Sequence, residues 1–152
     1  MKQIAFLILF ILVATACKEV FDIPPQSRVK ANLLNSKTKE TISSVVTIKP
    51  VEHDSIFYNA ESTATFILPL SPEQSTSFQV TFDSVIDTIT FYHTATTRYE
   101  SMESGFYYEY KLKQVSSTLN RIASIQITDS LVTNTLHENI KIYIRPLPTS
   151  SN

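Results

Sequence analysis

Apolar and polar residues alternate along much of the chain after residue 27, and a period of two is typical of β-strands with one buried face. The segment 106–114 shows the pattern most clearly. One face of this predicted strand carries Phe106, Tyr108, Tyr110 and Leu112, and the other carries Tyr107, Glu109, Lys111 and Lys113. We predict that the first face packs on an opposing sheet and that the second face is exposed to water.

Similar short segments follow one another along the chain, separated by polar residues typical of turns. They predict strands at residues 28–34, 45–50, 55–58, 64–70, 77–82, 87–94, 106–114, 123–128 and 139–144. The segment 131–136 fits either a further strand or a loop. Short strands at this spacing predict an all-β fold, a single antiparallel β-sandwich that is Ig-like or related, over residues 28–145.

The chain has a single glycine, Gly105, although β-proteins normally use several glycines in turns that need a positive φ. Asparagine and aspartate tolerate the same conformation, so we predict that Asn35, Asn59 and Asp83 serve at turns. Gly105 directly precedes the most regular strand, and we interpret it as a turn or bulge position.

The first residues of the chain break the alternation. Residues 4–13 are an uninterrupted run of ten apolar residues behind Lys2, which fits a signal-peptide core and is too short to span a bilayer as a helix. Small residues follow, and the single cysteine, Cys17, comes next. We predict a lipoprotein signal peptide over residues 1–16, with diacylglycerol attached to Cys17. The alternative is an ordinary secretory signal and a free cysteine, because Ala14 stands where lipoprotein signals most often carry leucine.

Residues 17–27 are the predicted lipid anchor and tether. The tether contains two consecutive prolines and reaches roughly 30 Å when extended. Residues 146–152 are a polar tail that we expect to be flexible. Removal of Lys2 with the signal peptide changes the formal charge from −1 to −2. This charge balance gives no basic surface for nucleic acid, and with Cys17 acylated no disulfide can form within the domain.

The residue types that most often perform catalysis are few and scattered. His53, His93 and His137 show none of the spacings typical of metal ligands, and we expect them in loops and at strand edges. Glu100 and Glu103 form a carboxylate pair in a segment that we expect to be exposed. The chain has no nucleophile motif, and one glycine cannot form a glycine-rich phosphate loop. We therefore predict no catalytic residue, no metal and no cofactor.

Exposed tyrosines give the predicted domain a means of binding. Tyrosine is enriched at protein interfaces and stacks on sugar rings, so Tyr92, Tyr99 and Tyr107 are candidates for contact with envelope proteins or glycans. We predict a lipid-anchored envelope protein that acts as a non-catalytic binding or structural module. One alternative is a surface glycan-binding or adhesion lipoprotein, which a coplanar tyrosine patch would favour. The other is a hydrolase or metal-dependent enzyme, which two histidines and a carboxylate in one pocket would favour.

Several short motifs occur in an order that resembles that of a known family. They are Asp54-Ser55-Ile56, Leu68-Pro69-Leu70, Phe78 within its strand, Asp87-Thr88-Ile89-Thr90-Phe91, Ser104-Gly105-Phe106, and His137 followed by Ile140-Lys141-Ile142-Tyr143. Together they resemble a domain-of-unknown-function family of small Bacteroidota lipoproteins, over nearly all of the mature chain. That family carries a cysteine where Ser104 stands here and a second near the start of the domain, and this chain lacks both. The resemblance implies one β-domain behind a lipoprotein signal, with no assigned activity.

The resemblance also bears on localisation. Some Bacteroidota lipoproteins reach the cell surface through a charged signal after the acylated cysteine, and Glu19 with Asp22 matches such a signal loosely. Val20 and Phe21 interrupt the acidic run. We therefore expect the protein at the outer membrane, and we favour its periplasmic face over the cell surface.

The resemblance further implies a modification. Bacteroidota O-glycosylate exported proteins at an aspartate followed by serine or threonine and then an apolar residue. Four of the five aspartates fit, at Asp54-Ser55-Ile56, Asp83-Ser84-Val85, Asp87-Thr88-Ile89 and Asp129-Ser130-Leu131. We predict O-glycosylation at one or more of Ser55, Ser84 and Ser130, which fall at strand edges, whereas Thr88 falls inside a strand. The alternative is that turn aspartates before β-branched strand starts generate the same triplets.

Overall fold

The computed structural model describes residues 26–147, which fold into two β-sheets packed face to face. The strands are β1 Arg28–Asn35, β2 Ser44–Pro50, β3 Tyr58–Thr63, β4 Thr65–Pro69, β5 Ser75–Phe82, β6 Val85–Ser101, β7 Gly105–Ser117, β8 Ile122–Ile127, β9 Leu131–Val132 and β10 Glu138–Ile144. This part of the chain contains no helix, and therefore none long and apolar enough to cross a membrane. The predicted all-β sandwich is confirmed.

The strands form a four-stranded sheet in the order β4-β1-β10-β8 and a six-stranded sheet in the order β3-β2-β5-β6-β7-β9. Neighbouring strands are antiparallel, as expected, with one exception. β1 and β10 run parallel, with Ala31 opposite Ile140 and Leu33 opposite Ile142. These two strands are far apart in the sequence, so no short hairpin forces them to be antiparallel.

The core lies between the two sheets and consists of their inward-facing residues. Side chains with at most 1% of their surface exposed include Phe78, Val80 and Phe82 of β5, Ile89 and Phe91 of β6, and Ile140, Ile142 and Ile144 of β10. Phe78 and Phe91 pack edge to face, with ring centroids 6.1 Å apart. The hydrophobic pattern therefore correctly predicted the buried faces of these three strands.

Two segments show where the sequence pattern was less informative. The predicted strand at residues 55–58 is wrong, because residues 51–57 form a loop and β3 begins only at Tyr58. Ile56 is 55% exposed, so an apolar residue that suggested a strand does not enter the core. The undecided segment 131–136 is mostly loop, with only its first two residues forming β9.

The turns use positive φ values at a few residues. Asp83 and Ser84, with φ of 48° and 84°, form the two-residue turn between β5 and β6. Such a turn matches the right-handed twist of its strands, and aspartate suits it well. Gly105 has a φ of 73°, which confirms its predicted special conformation. Asn59 was expected at a turn, but the positive φ falls on Ala60, within β3.

A buried carboxylate fastens the loop between β7 and β8 to the beginning of β6. Asp87 is 1% exposed. Its Oδ1 accepts hydrogen bonds from Thr118 Oγ1 at 2.7 Å and from the N–H of Asn120 at 2.8 Å. Its Oδ2 accepts from the N–H groups of Arg121 at 2.7 Å and Ile122 at 3.0 Å. Asp87 thus accepts hydrogen bonds from three backbone N–H groups at the end of the β7–β8 loop.

A second carboxylate, that of Asp83, joins three elements at the same end of the sandwich. It accepts hydrogen bonds from Ser44 Oγ at 2.7 Å, from the N–H of Val45 at 2.9 Å and from Arg121 Nη2 at 2.9 Å. Burial acts to raise the pKa of Asp83, but these three partners outweigh it and hold the pKa below its ordinary value. The end of the sandwich where β6 begins is therefore closed by polar side chains with structural roles.

Candidate functional site

β6 and β7 are much longer than their neighbours and extend beyond the rest of the sandwich. β5 pairs with β6 only as far as Tyr92, whereas β7 pairs with β6 along its whole length. On its other side, β7 pairs with β9 only at Tyr110 and Lys111. Residues 94–109 therefore form a two-stranded ribbon whose outer edges pair with no strand of the described fold. We call this ribbon the arm.

The inner face of the arm continues the row of side chains that faces the core. From the core outward, its cross-strand pairs are His93–Leu112, Ala95–Tyr110, Thr97–Tyr108 and Tyr99–Phe106. The exposed fraction is 4% at Leu112 and 5% at Tyr110, and then 43% at Tyr108 and 65% at Phe106. The predicted packing of this β7 face is therefore correct for its inner half and wrong for Phe106 and Tyr108, because the opposing sheet ends beside Tyr110.

Tyr110 and His93 hold the base of the arm against the sandwich. Tyr110 Oη donates a hydrogen bond to the carbonyl oxygen of Leu70, just after β4 ends, at 2.8 Å. Burial, with a smaller effect of Tyr108, raises the pKa of Tyr110. The His93 ring meets it edge to face at 5.2 Å, with Nε2 3.0 Å from Thr76 Oγ1. Burial, with a smaller effect of Lys113, lowers the pKa of His93. The packed Tyr110–His93 pair fixes where the arm begins.

The apex of the arm carries exposed apolar residues. Met102 lies in the turn between the two strands and is 94% exposed. Tyr99 and Phe106 follow directly, with ring centroids 5.4 Å apart in an edge-to-face arrangement. The N–H of Ser104 donates to Ser101 Oγ at 2.9 Å, which orders the turn before Gly105. Large apolar side chains are thus displayed together at the end of a hydrogen-bonded ribbon.

The outer face of the arm is polar. Arg98 Nε lies 2.6 Å from Glu109 Oε2, and this hydrogen bond, together with the charge of Glu109, raises the pKa of Arg98. Tyr107 Oη also donates to Glu109, at 3.4 Å. Because both strands alternate, the arm is amphipathic across its two faces.

A cleft of about 310 Å³ separates the inner face of the arm from the end of the sandwich. It is lined by Gln26, Ser27, Pro69, Leu70, Pro72, Phe106, Tyr107, Tyr108 and Tyr110. Ser27 is 5% exposed, and its hydroxyl has no hydrogen-bond partner among the described residues. The first described residues of the chain therefore lie at the foot of the arm, on its aromatic side.

The chain matches one protein family. A profile described as a family of unknown function, DUF6452, matches residues 43–144, which include β2 to β10 and the whole arm. The chain belongs to the DUF6452 family. No curated protein and no solved structure shows a match to it. The predicted relation to a family without assigned activity is confirmed, whereas the lipid anchor and the bacterial group stay predictions.

The predicted tyrosine candidates are distributed differently in this DUF6452 domain. Tyr92 and Tyr107 lie on the outer side of β6 and β7, whereas Tyr99 lies on the inner side with Phe106. The Tyr99 and Phe106 rings are inclined by 62°, so they do not form one flat platform. The exposure of Phe106 was not predicted from the sequence, although the unusual length of the alternating run before residue 115 was a signal for it.

The three histidines of the DUF6452 domain lie apart. His53 is in the exposed loop 51–57 and lines an open cleft with Glu52 and Glu73. His137 lies before β10, with Nε2 3.2 Å from Asp129 Oδ2. His93 was expected in a loop or at an edge, but it is buried in the middle of β6. Among residues 26–147, no cluster of three or more histidine, cysteine or acidic residues is close enough to hold a metal ion.

The predicted modification sites occupy three different settings. Ser55 is exposed in the loop 51–57, and Ser84 is exposed in the turn between β5 and β6. Ser130 is half-buried, and its carbonyl oxygen accepts a hydrogen bond from the N–H of Leu112. Thr88 lies inside β6, as expected. Cys17, the signal peptide, most of the tether and residues 148–152 lie outside the described residues.

Proposed function

We propose that the chain is a lipid-anchored envelope protein of the outer membrane, held at Cys17, and that its β-sandwich binds through the arm without catalysis. The observation that carries this proposal is the exposed apolar surface of Tyr99, Phe106 and Tyr108, displayed beyond the core. Grouped exposure of large apolar side chains is characteristic of interaction sites. We favour the periplasmic face of the membrane, where the lipid surface, envelope proteins and glycans are available as partners.

The polar side chains of the domain support a non-catalytic role. Asp87 and Asp83 are occupied by hydrogen bonds that hold the fold together. His93 packs on Tyr110 at the base of the arm. A general acid or base needs access to substrate, and the buried Asp87 and His93 lack it.

The two alternative functions have weaker support. A glycan-binding platform is favoured by coplanar exposed rings, whereas the Tyr99–Phe106 pair is edge to face. A hydrolase or metal-dependent enzyme needs its histidines together, and the cleft beside His53 contains one histidine with Glu52 and Glu73. An apolar contact at the arm is therefore the function that we propose.

Acylation at Cys17 is the first expected result. The N-terminal peptide of the protein extracted from membranes should begin at Cys17 and carry the mass of the diacylglyceryl group. In the Cys17→Ala variant, the acyl mass should disappear. An acylated Cys17→Ala protein, or an unmodified native protein released as a soluble chain, would contradict the proposed anchor.

O-glycosylation at one or more of Ser55, Ser84 and Ser130 is the second expected result. Ser55 and Ser84 are the more accessible of the three, so a transferase would meet least obstruction there. Peptide mass spectrometry of the protein from its native cells should find glycan mass on the peptides that contain these serines. Unmodified peptides at all three positions would leave only the turn-forming role of the Asp-Ser triplets.

A further inference from the structure

The arm is held close to the point from which the lipid anchor departs. Gln26 and Ser27 line the cleft at the foot of the arm, together with Phe106 and Tyr108. Nine residue steps separate Cys17 from Gln26, and even fully extended they reach only about 30 Å. The seven steps of β6 from residue 94 to residue 101 extend for about 23 Å. A connection of this length lets the apex of the arm reach the surface that holds the anchor.

The side chains at the apex suit the boundary between water and lipid. Aromatic rings with a polar atom are enriched at that boundary, and apolar residues on one face of an amphipathic element enter it. Tyr99, Phe106 and Met102 supply the aromatic and apolar groups.

The charged groups of the arm allow a shallow contact of the apex with lipid headgroups. Arg98 and Glu109 neutralise each other on the outer face. The Glu100 carboxylate accepts a hydrogen bond from Asn134, in the loop between β9 and β10. Glu103 stays exposed beside Met102 and limits the contact to headgroup depth. Its charge also disfavours strongly anionic surfaces.

We infer that the arm docks on the membrane that holds the lipid anchor, with Met102, Tyr99 and Phe106 at the level of the lipid headgroups. This inference rests on the proposed anchor at Cys17. The anchor and the arm are then two attachments at one end of the domain, and together they fix its orientation on the membrane. The opposite end, closed by Asp83 and Asp87, faces away from the lipid.

The absence of tryptophan from the chain makes a direct test available. A single tryptophan would be introduced as Phe106→Trp in the acylated full-length protein, reconstituted in phosphatidylethanolamine–phosphatidylcholine vesicles with and without brominated lipid. The matched control is Leu119→Trp, because Leu119 is 58% exposed and lies beyond the other end of β7. Eleven residue steps, or about 36 Å, separate Phe106 from the end of β7, which is longer than a contact quencher reaches.

We expect brominated lipid to quench the emission of Trp at position 106 and to leave the emission at position 119 unchanged. If brominated lipid leaves the emission unchanged at both positions, the inference is overturned while the anchor stays intact. A shift to shorter wavelength at position 106 that depends on protein concentration and not on bromine would also overturn it, in favour of a second copy on the arm. The proposed anchor fails by a separate result, the absence of acyl mass at Cys17.

Discussion

Replacing Asp87 with alanine should destabilise the domain by about 2–6 kcal/mol. The change leaves the buried backbone N–H groups of Arg121 and Ile122 without their acceptor, and each buried donor without a partner costs about 1–3 kcal/mol. Urea unfolding of the unacylated domain would measure the change in the free energy of unfolding. Asp87→Asn should also be strongly destabilising, because one acceptor oxygen becomes a donor facing other donors.

The control for Asp87 is Asp54→Ala. Asp54 lies in the exposed loop 51–57, and a surface substitution usually changes stability by less than about 0.5 kcal/mol. Similar, small effects for Asp87→Ala and Asp54→Ala would show that the β7–β8 loop does not depend on the buried carboxylate.

Truncation of Phe91 to alanine should destabilise the domain by about 3–5 kcal/mol. Phe91 has no exposed surface and packs edge to face on Phe78, so its removal leaves a cavity between the sheets. Phe106→Ala is a matched control, because the same side chain is lost from a position that is 65% exposed. Thermal or urea unfolding should separate the two variants clearly, and equal losses of stability would mean that the arm belongs to the cooperative core.

The period of two predicted the faces of the strands well and their surroundings less well. Ile140 and Ile142 alternate with polar residues, and a strand with one buried face requires that pattern. The same alternation in β7 predicted that Phe106 and Tyr110 share one face, which is correct. Periodicity says which side chains share a face and carries no information about where the opposing sheet ends. For that reason the arm could not be predicted from the pattern alone.

The polar contacts escaped prediction for a related reason. Asp87 resembles any aspartate before a strand, and its partners are 31 to 35 positions away in the sequence. Only the turn beside it left a local signal, since Asp83 precedes a β-branched strand start. The sequence predicted that exposed aromatic residues, Tyr99 among them, form the candidate site. Its identity as a protruding ribbon depends on the relative lengths of β5, β6 and β7.

The proposed contact between the arm and the membrane can be tested without the acyl groups. The mature chain with Cys17→Ser should still bind phosphatidylethanolamine–phosphatidylcholine vesicles weakly through the arm. Met102→Ser with Phe106→Ser should lower its partition coefficient at least about tenfold, because burial of such a side chain contributes about 1.5–3 kcal/mol and about 1.4 kcal/mol is a factor of ten. The exposed residues Ile86 and Leu119 provide the control, as Ile86→Ser with Leu119→Ser, at the opposite end of the domain.

Co-sedimentation of these three proteins with the vesicles tests whether the arm docks on the membrane. We expect the chain with the intact arm and the Ile86–Leu119 control to bind equally, and the Met102–Phe106 variant to lose binding while its thermal unfolding is unchanged. Equal partitioning of all three proteins, or no partitioning of any of them, would contradict the claim that the arm docks on the membrane.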